Sequence, residues 1–189
     1  MNIGILTMYP HNYNYGGVLQ SYALPVFCKQ HLSCRAYQMP SDYSARINLR
    51  RCPWWQHYSN KDRWKRWLSA HVYTVIRRND KDLRIQQFKA FESQIPTATQ
   101  GFDAVVVGSD QVWNPHWFCR TFFAPPVPLN VPVIAYAASF GVSALTQKEA
   151  SIMLPLIERF QAISVREPSA KTNVIKISLG ATRKTPRTF

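Results

Sequence analysis

The strongest constraint on the fold is an apolar run that occurs three times and ends each time in small polar or charged residues. The runs are "DAVVVGSD" at 103–110, "PVIAYAASFG" at 132–141 and "AISVRE" at 162–167. Runs of this kind are typical of strands buried on both faces. A helix is predicted between the last two runs, where Thr146 and Glu149 form a capping box. Strands that alternate with helices favour a parallel sheet.

The N-terminal segment follows the same plan. "IGILT" at 3–7 predicts a buried strand, a helix is predicted from Gly17 to about His31, and "CRAYQM" at 34–39 predicts a second strand. Pro25 lies inside the predicted helix, where proline costs ~3 kcal/mol unless the helix bends. The whole pattern predicts an α/β protein with an open, mostly parallel sheet flanked by helices.

Four loops follow the predicted strands, at 8–17, 108–114, 139–143 and 166–169. In open α/β sheets, ligands bind outside the carboxyl ends of the strands, so these loops are expected to share one edge. The candidate substrate-binding residues are those that offer polar groups or close backbone approach in these loops: Asn12, Asn14, Tyr15, Gly16, Gly17, Ser109, Asp110, Gln111, Ser139, Phe140, Gly141 and Arg166.

Two of these loops carry specific chemistry. Gly16 and Gly17 allow the backbone to approach a ligand, and the helix N-terminus behind them favours an anion. The alternative is a structural turn that uses Asn12 and Asn14 for its own backbone, and the residues alone do not decide between the two. Asp110 is the candidate catalytic residue, either as a base or as a hydrogen-bond acceptor; its alternative is a loop or cap carboxylate. The sequence contains neither a dinucleotide fingerprint nor a Walker phosphate loop.

Composition narrows the class of protein. Of the 189 residues 46% are hydrophobic and 17% charged, which indicates a packed domain rather than a disordered chain. No run reaches the roughly 20 apolar residues of a membrane helix, and no secretory signal is visible, so a cytoplasmic location is predicted. The four cysteines fit no metal-binding spacing, and no metal is predicted.

The formal net charge is +13, and much of it falls between residues 46 and 84. This stretch includes "KDRWKRWLSAHVYTVIRR" at 61–78, which predicts a helix with a tryptophan-containing apolar stripe. The basic surface fits a phosphate-bearing substrate, an anionic membrane face or a nucleic acid. A sequence-specific nucleic-acid partner is not predicted, because no known recognition motif is present.

Four segments together resemble the polysaccharide pyruvyl transferase family: "IGILTMYPHNYNYGGVLQSYAL", "FDAVVVGSDQVWNP", "VIAYAASFG" and "FQAISVRE". The resemblance runs from residue 3 to about residue 170. It implies a Rossmann-like domain similar to the N-terminal half of a GT-B-type enzyme. It also implies phosphoenolpyruvate as pyruvyl donor, with no further cofactor, and a glycan or lipid-linked sugar of a capsule or exopolysaccharide as acceptor, at the inner face of the cell membrane. Arg166 is then a candidate contact for an anionic group.

The resemblance also sets expectations for the domains. Residues 1–170 are expected to form the Rossmann-like domain, with a helical, basic, Trp-rich insertion at 39–93. Residues 171–189 are expected to be an irregular basic tail in place of a second domain. A truncated transferase, weakly active or inactive alone, is therefore expected. The alternative is a non-catalytic module or subunit that binds a glycan or a membrane surface, or that associates through its exposed cleft wall.

Overall fold

The computed structural model describes residues 1–10, 14–42, 47, 49, 78–178 and 187–188. The chain divides into two compact units, one of Met1–Leu49 with Ile95–Phe189 and one of Arg50–Gln94. The second unit overlaps the predicted insertion at 39–93. Residues 61–77 of the helix predicted over 61–78, and the candidate residue Asn12, lie outside the described residues.

The first unit contains a parallel sheet. Its elements in chain order are β1 (Asn2–Leu6), α1 (Tyr15–His31), β2 (Arg35–Gln38), β3 (Ala104–Asp110), β4 (Val133–Ala138), α3 (Gln147–Ile157), β5 (Ala162–Val165), α4 (Pro168–Ser178) and the two-residue β6 (Arg187–Thr188). The described part of the second unit contains α2 (Arg78–Glu92). The strands run parallel in the order β2-β1-β3-β4-β5-β6. The predicted open α/β sheet is thus confirmed.

The two faces of the sheet bury different clusters. Val105 and Val107 of β3 are fully buried in a large cluster that also contains Met153 of α3 and Val174 of α4. Val106, between them in the strand, packs against a smaller cluster that contains Cys28 of α1. Because side chains alternate between the faces of a strand, α3 and α4 lie on one face of β3 and α1 lies on the other.

Pro25 does not end α1, which runs through it from Tyr15 to His31. The proline has no N–H, so the carbonyl of Ser21, one helical turn earlier, lacks its usual donor. The Gln38 side chain of β2 supplies one, because its Nε2 donates to the Ser21 oxygen at 2.7 Å. Both residues are buried, and the bond therefore satisfies a carbonyl that water does not reach.

This contact gives a stability prediction. Gln38→Leu is expected to lower the free energy of unfolding by about 1–2 kcal/mol, because it leaves the buried Ser21 carbonyl without a donor. In a Pro25→Ala background the backbone N–H of residue 25 returns, so the same change is expected to cost less than half as much. Urea unfolding of the four proteins measures both values. Equal losses in the two backgrounds would contradict the assigned role of Gln38.

The expectation of an irregular tail from residue 171 is wrong for residues 171–178, which belong to α4. Ala170 and Val174, four residues apart, are buried in the large cluster and hold one face of this helix to the sheet. Beyond the helix, Arg187 and Thr188 pair with Ala162 and Ile163 of β5. In contrast, the predicted capping box of Thr146 and Glu149 is confirmed at the start of α3.

Candidate functional site

The carboxyl ends of the strands lie at one edge of the sheet. Parallel register places Leu6 beside Val107, Asp110 beside Ala138, and Ala138 beside Val165. From β1 the chain adds β2 on one side, and then adds β3, β4 and β5 in turn on the other side. The strand order therefore changes direction between β1 and β3. Doubly wound sheets bind ligands in the crevice at such a switch point, outside the carboxyl ends of the strands.

A chain of hydrogen bonds links the exits of β1 and β3. The hydroxyl of Thr7, which directly follows β1, donates to the Ser109 carbonyl at 3.3 Å. The Gln20 side chain of α1 donates in turn to Thr7 Oγ1 at 3.1 Å. These contacts place the first turns of α1 and the end of β3 at the same part of the sheet edge.

The N-terminus of α1 uses Asn14 as its cap. The Asn14 side-chain oxygen accepts a hydrogen bond from the Gly16 N–H at 2.9 Å, as in the structural interpretation of this loop. Tyr15 and Gly16 are exposed beside it, whereas Gly17 is buried. In the described part of this loop, the Tyr15 ring and the Gly16 backbone are accessible to a ligand.

Asp110 and Gln111 shape the exit of β3. Asp110 has φ 85°, a backbone conformation that is uncommon for a residue with a side chain and that clusters at functional sites. Its carboxylate accepts a hydrogen bond from the Gln111 N–H at 2.8 Å. The Gln111 side-chain oxygen accepts from the Asn114 amide at 2.8 Å. Gly141 lies against this pair, and a Cβ there would come within 2.6 Å of Gln111 Oε1.

Glu167 joins the exits of β4 and β5. Its Oε1 accepts hydrogen bonds from Ser139 Oγ at 2.9 Å and from the Phe140 N–H at 3.2 Å. Ser139 Oγ also accepts from the Gly141 N–H at 3.0 Å. Glu167 thus fixes the turn that follows β4.

Arg166 lies between two carboxylates. Its Nη1 is 3.8 Å from Asp110 Oδ1, and its Nε is 3.8 Å from Glu167 Oε2. The Arg166 side chain is 50% exposed and that of Asp110 is 30% exposed. Both charged groups therefore remain accessible, and contacts of this length and exposure hold them only weakly.

Phe140 lies in the core rather than at the surface. Its ring is fully buried and 5.4 Å from the ring of Trp113, which also contacts Phe123 and Phe160. Phe140 and Trp113 thus anchor the loops that follow β4 and β3. The buried Phe140 ring cannot contact a ligand at the surface, so the predicted role of Phe140 in substrate binding would be indirect.

The structure brings together the predicted residues at the exits of β3, β4 and β5, and hydrogen bonds connect the exits of β1 and β3. Their role in binding stays a prediction. The sequence-based set omitted four residues that organise this edge: Thr7, Gln20, Asn114 and Glu167. Glu167 had a signal in the sequence, because it follows Arg166 at a strand exit.

The thiols of the described residues are poorly suited to catalysis. Cys28, Cys34 and Cys119 are free and buried. Burial, followed by the influence of the neighbouring Cys34, raises the pKa of the Cys28 thiol. A raised pKa leaves less of the nucleophilic thiolate. Within the described ranges, no group of three or more metal-ligating His, Cys, Asp or Glu side chains occurs.

The fold and this edge define a doubly wound α/β protein whose loops offer hydrogen-bonding groups, the Asp110 carboxylate and the Arg166 guanidinium to a ligand. The polysaccharide pyruvyl transferase family matches residues 14–186, nearly the whole chain. The protein belongs to this family. The match continues past residue 170, where the resemblance read from the sequence ended. No curated protein and no solved structure matched the chain.

None of the helices in the described ranges is both long enough and apolar enough to cross a membrane.

Proposed function

We propose that the protein takes part in transferring a pyruvyl group from phosphoenolpyruvate to a hydroxyl pair of a surface-polysaccharide sugar, and that the described edge binds the acceptor. The family match supports the reaction class. The observation that carries the assignment of the edge is the accessible Asp110–Arg166 pair among hydrogen-bonding loops at the carboxyl ends of the strands. We propose a lipid-linked sugar as acceptor, which would bring the protein to the inner face of the cell membrane.

The reaction sets clear requirements. The CH₂ carbon of phosphoenolpyruvate takes up a proton and becomes the methyl group of the product. The two sugar oxygens form bonds to the adjacent carbon, both hydroxyl protons are lost, and phosphate leaves with its bridging oxygen. A positioned base for a hydroxyl and cations near the phosphate would lower the barrier. Asp110 is our candidate for the base, or for the acceptor of a sugar hydroxyl hydrogen bond.

The number of positively charged residues in the exit loops limits the catalysis that this edge can perform by itself. Within the exit loops at 8–17, 108–114, 139–143 and 166–169, Arg166 is the only Lys or Arg. The donor carries both a phosphate and a carboxylate, so one arginine leaves most of its charge uncompensated. We therefore propose that this edge is one wall of the site and that the chain has little activity without further cations from an opposite wall. The same observation favours, as a second candidate, a glycan-binding module that acts without catalysis.

A binding experiment tests the role of the edge whether or not turnover occurs. We expect Asp110→Asn to weaken binding of neutral hexose disaccharides by about tenfold or more, because it removes a charged hydrogen-bond acceptor. Asp82→Asn, at an exposed position of α2, is the matched control and should leave binding unchanged. Titration calorimetry across a disaccharide panel gives the affinities. Equal binding by Asp110→Asn and wild type would contradict the proposed acceptor site.

Turnover is measured separately. Purified protein is incubated with phosphoenolpyruvate and the same saccharides, while phosphate release and the new ketal methyl signal are followed by NMR. We expect slow or undetectable turnover together with saccharide binding. Rapid turnover would contradict the one-wall proposal, and absence of both binding and turnover would contradict the proposed function.

A further inference from the structure

A pocket of about 440 Å³ lies between α1 and β2, away from the strand exits of the candidate site. Its volume is in the range of small-molecule sites, about 300–1,000 Å³. Its cationic side chains are Lys29 from the last turn of α1 and Arg35 from the start of β2. Tyr22 and Tyr37 add phenol groups, and none of the described residues that line the pocket is acidic.

The two cations are available to an anion. Lys29 and Arg35 are both exposed, and within the described part of the chain neither makes an ion pair. The C-terminal end of a helix such as α1 carries a partial negative charge of about half a unit, which repels an anion. The two full positive charges of Lys29 and Arg35 outweigh this repulsion. The charge and the phenols therefore suit a phosphate-bearing group.

The outer side of α1 adds an apolar surface next to this pocket. Leu19 is 58% exposed, Tyr22 43% and Phe27 52%, and Val26 is partly exposed between them. These positions recur at helical spacing and form one stripe, whereas most exposed helix faces are polar. Tyr22 and Val26 belong to both the stripe and the pocket wall.

We propose that this pocket binds the phosphate headgroup of an anionic phospholipid while the α1 stripe contacts the apolar part of the bilayer surface. Aromatic and aliphatic side chains beside basic ones are typical of helices that lie in the interface plane of a membrane. Charge favours this occupant over a second copy of the chain, because a net charge of +13 attracts an anionic bilayer and repels another copy. No acidic residue occurs in α1 to weaken that attraction.

The inference concerns a site separate from the strand exits, and it does not depend on pyruvyl transfer. It is tested with flotation of the full chain on vesicles of phosphatidylcholine alone or mixed with phosphatidylglycerol. We expect binding to the mixed vesicles only. Lys29→Glu combined with Arg35→Glu should reduce it by at least about tenfold, since each basic residue near an anionic surface contributes to binding. Leu19→Ser, at an exposed position, should also reduce it.

The control is a double variant with the same net charge as the Lys29→Glu, Arg35→Glu protein. Lys148→Glu combined with Lys171→Glu changes two exposed lysines of α3 and α4, which cover the opposite face of the sheet. This variant should bind nearly as well as wild type. Equal loss in both double variants would show general attraction of a basic protein and overturn the assigned site.

A second experiment distinguishes a lipid ligand from a soluble phosphate-bearing ligand. Glycerol phosphate without vesicles is expected to bind weakly by calorimetry. Tight binding of glycerol phosphate that Leu19→Ser leaves unchanged would overturn the lipid assignment. So would a stable dimer in sedimentation velocity that Leu19→Ser dissociates, because the stripe would then be an interface between copies.

Discussion

Trp113→Ala is expected to lower the free energy of unfolding by about 3–5 kcal/mol, the usual range for removing a large buried aromatic side chain. Trp113 is fully buried, and its ring contacts those of Phe123, Phe140 and Phe160. Its indole N–H also donates to the Phe122 carbonyl at 3.2 Å. Small domains are stable by about 5–15 kcal/mol in total, so a large part of the stability would be lost. Chemical denaturation followed by circular dichroism measures the change.

Trp117 provides a matched control for this prediction. It lies four residues further along and is only partly buried, with its indole N–H donating to the Gln111 carbonyl at 3.3 Å. Trp117→Ala should therefore cost clearly less than Trp113→Ala. Similar losses in the two variants would mean that Trp113 is not the centre of this core. The expected difference reflects burial, because both changes remove the same atoms.

The sheet was predictable because its strands are short apolar runs that end in polar residues, although Ile134 and Tyr136 leave one face of β4 exposed. The apolar runs at 103–110, 132–141 and 162–167 correspond to β3, β4 and β5, and their polar ends mark the strand exits. The strand order 2-1-3-4-5 was not predictable, because it depends on the direction in which each connection crosses the sheet. The residues of the connections carry no local signal for that direction.

Contacts distant in sequence explain most of the remaining differences. Pro25 predicts a bend, but the donor that compensates for it, Gln38, comes from another element. Phe140 follows a strand like a ligand-binding residue, yet its ring meets Trp113 in the core. The helix at 168–178 was missed because threonine and lysine obscured its short apolar face. For Pro25 and Phe140, the partner that explains the difference belongs to another part of the sequence and is visible only in the fold.

Glu167 was absent from the candidate set, although its contacts with neighbouring loops are among the most extensive at this edge. Its Oε1 accepts hydrogen bonds from the Ser139 hydroxyl and the Phe140 N–H, at 2.9 Å and 3.2 Å. Hydrogen bonds to charged groups contribute about 1.5–3 kcal/mol each, and Ser139 and Phe140 are buried. The carboxylate therefore matters for both the stability of the turn and its position beside Asp110.

Glu167→Ala is expected to destabilise the protein by about 2–4 kcal/mol, and Glu167→Gln by about half as much, because glutamine keeps an acceptor oxygen without the charge. Glu158→Ala, at an exposed position after α3, should change stability by less than about 0.5 kcal/mol. Denaturation curves of the three variants give these values.

An NMR measurement tests whether Glu167 also positions the turn after β4. Because the Ser139 hydroxyl bonded to Glu167 also holds the Gly141 N–H, loss of Glu167 should shift the amide NMR signals of Gly141 and Gln111. Glu167→Gln should shift them less. If Glu167→Ala lowered stability but left both signals in place, Glu167 would stabilise the fold without positioning the turn that borders the proposed acceptor site.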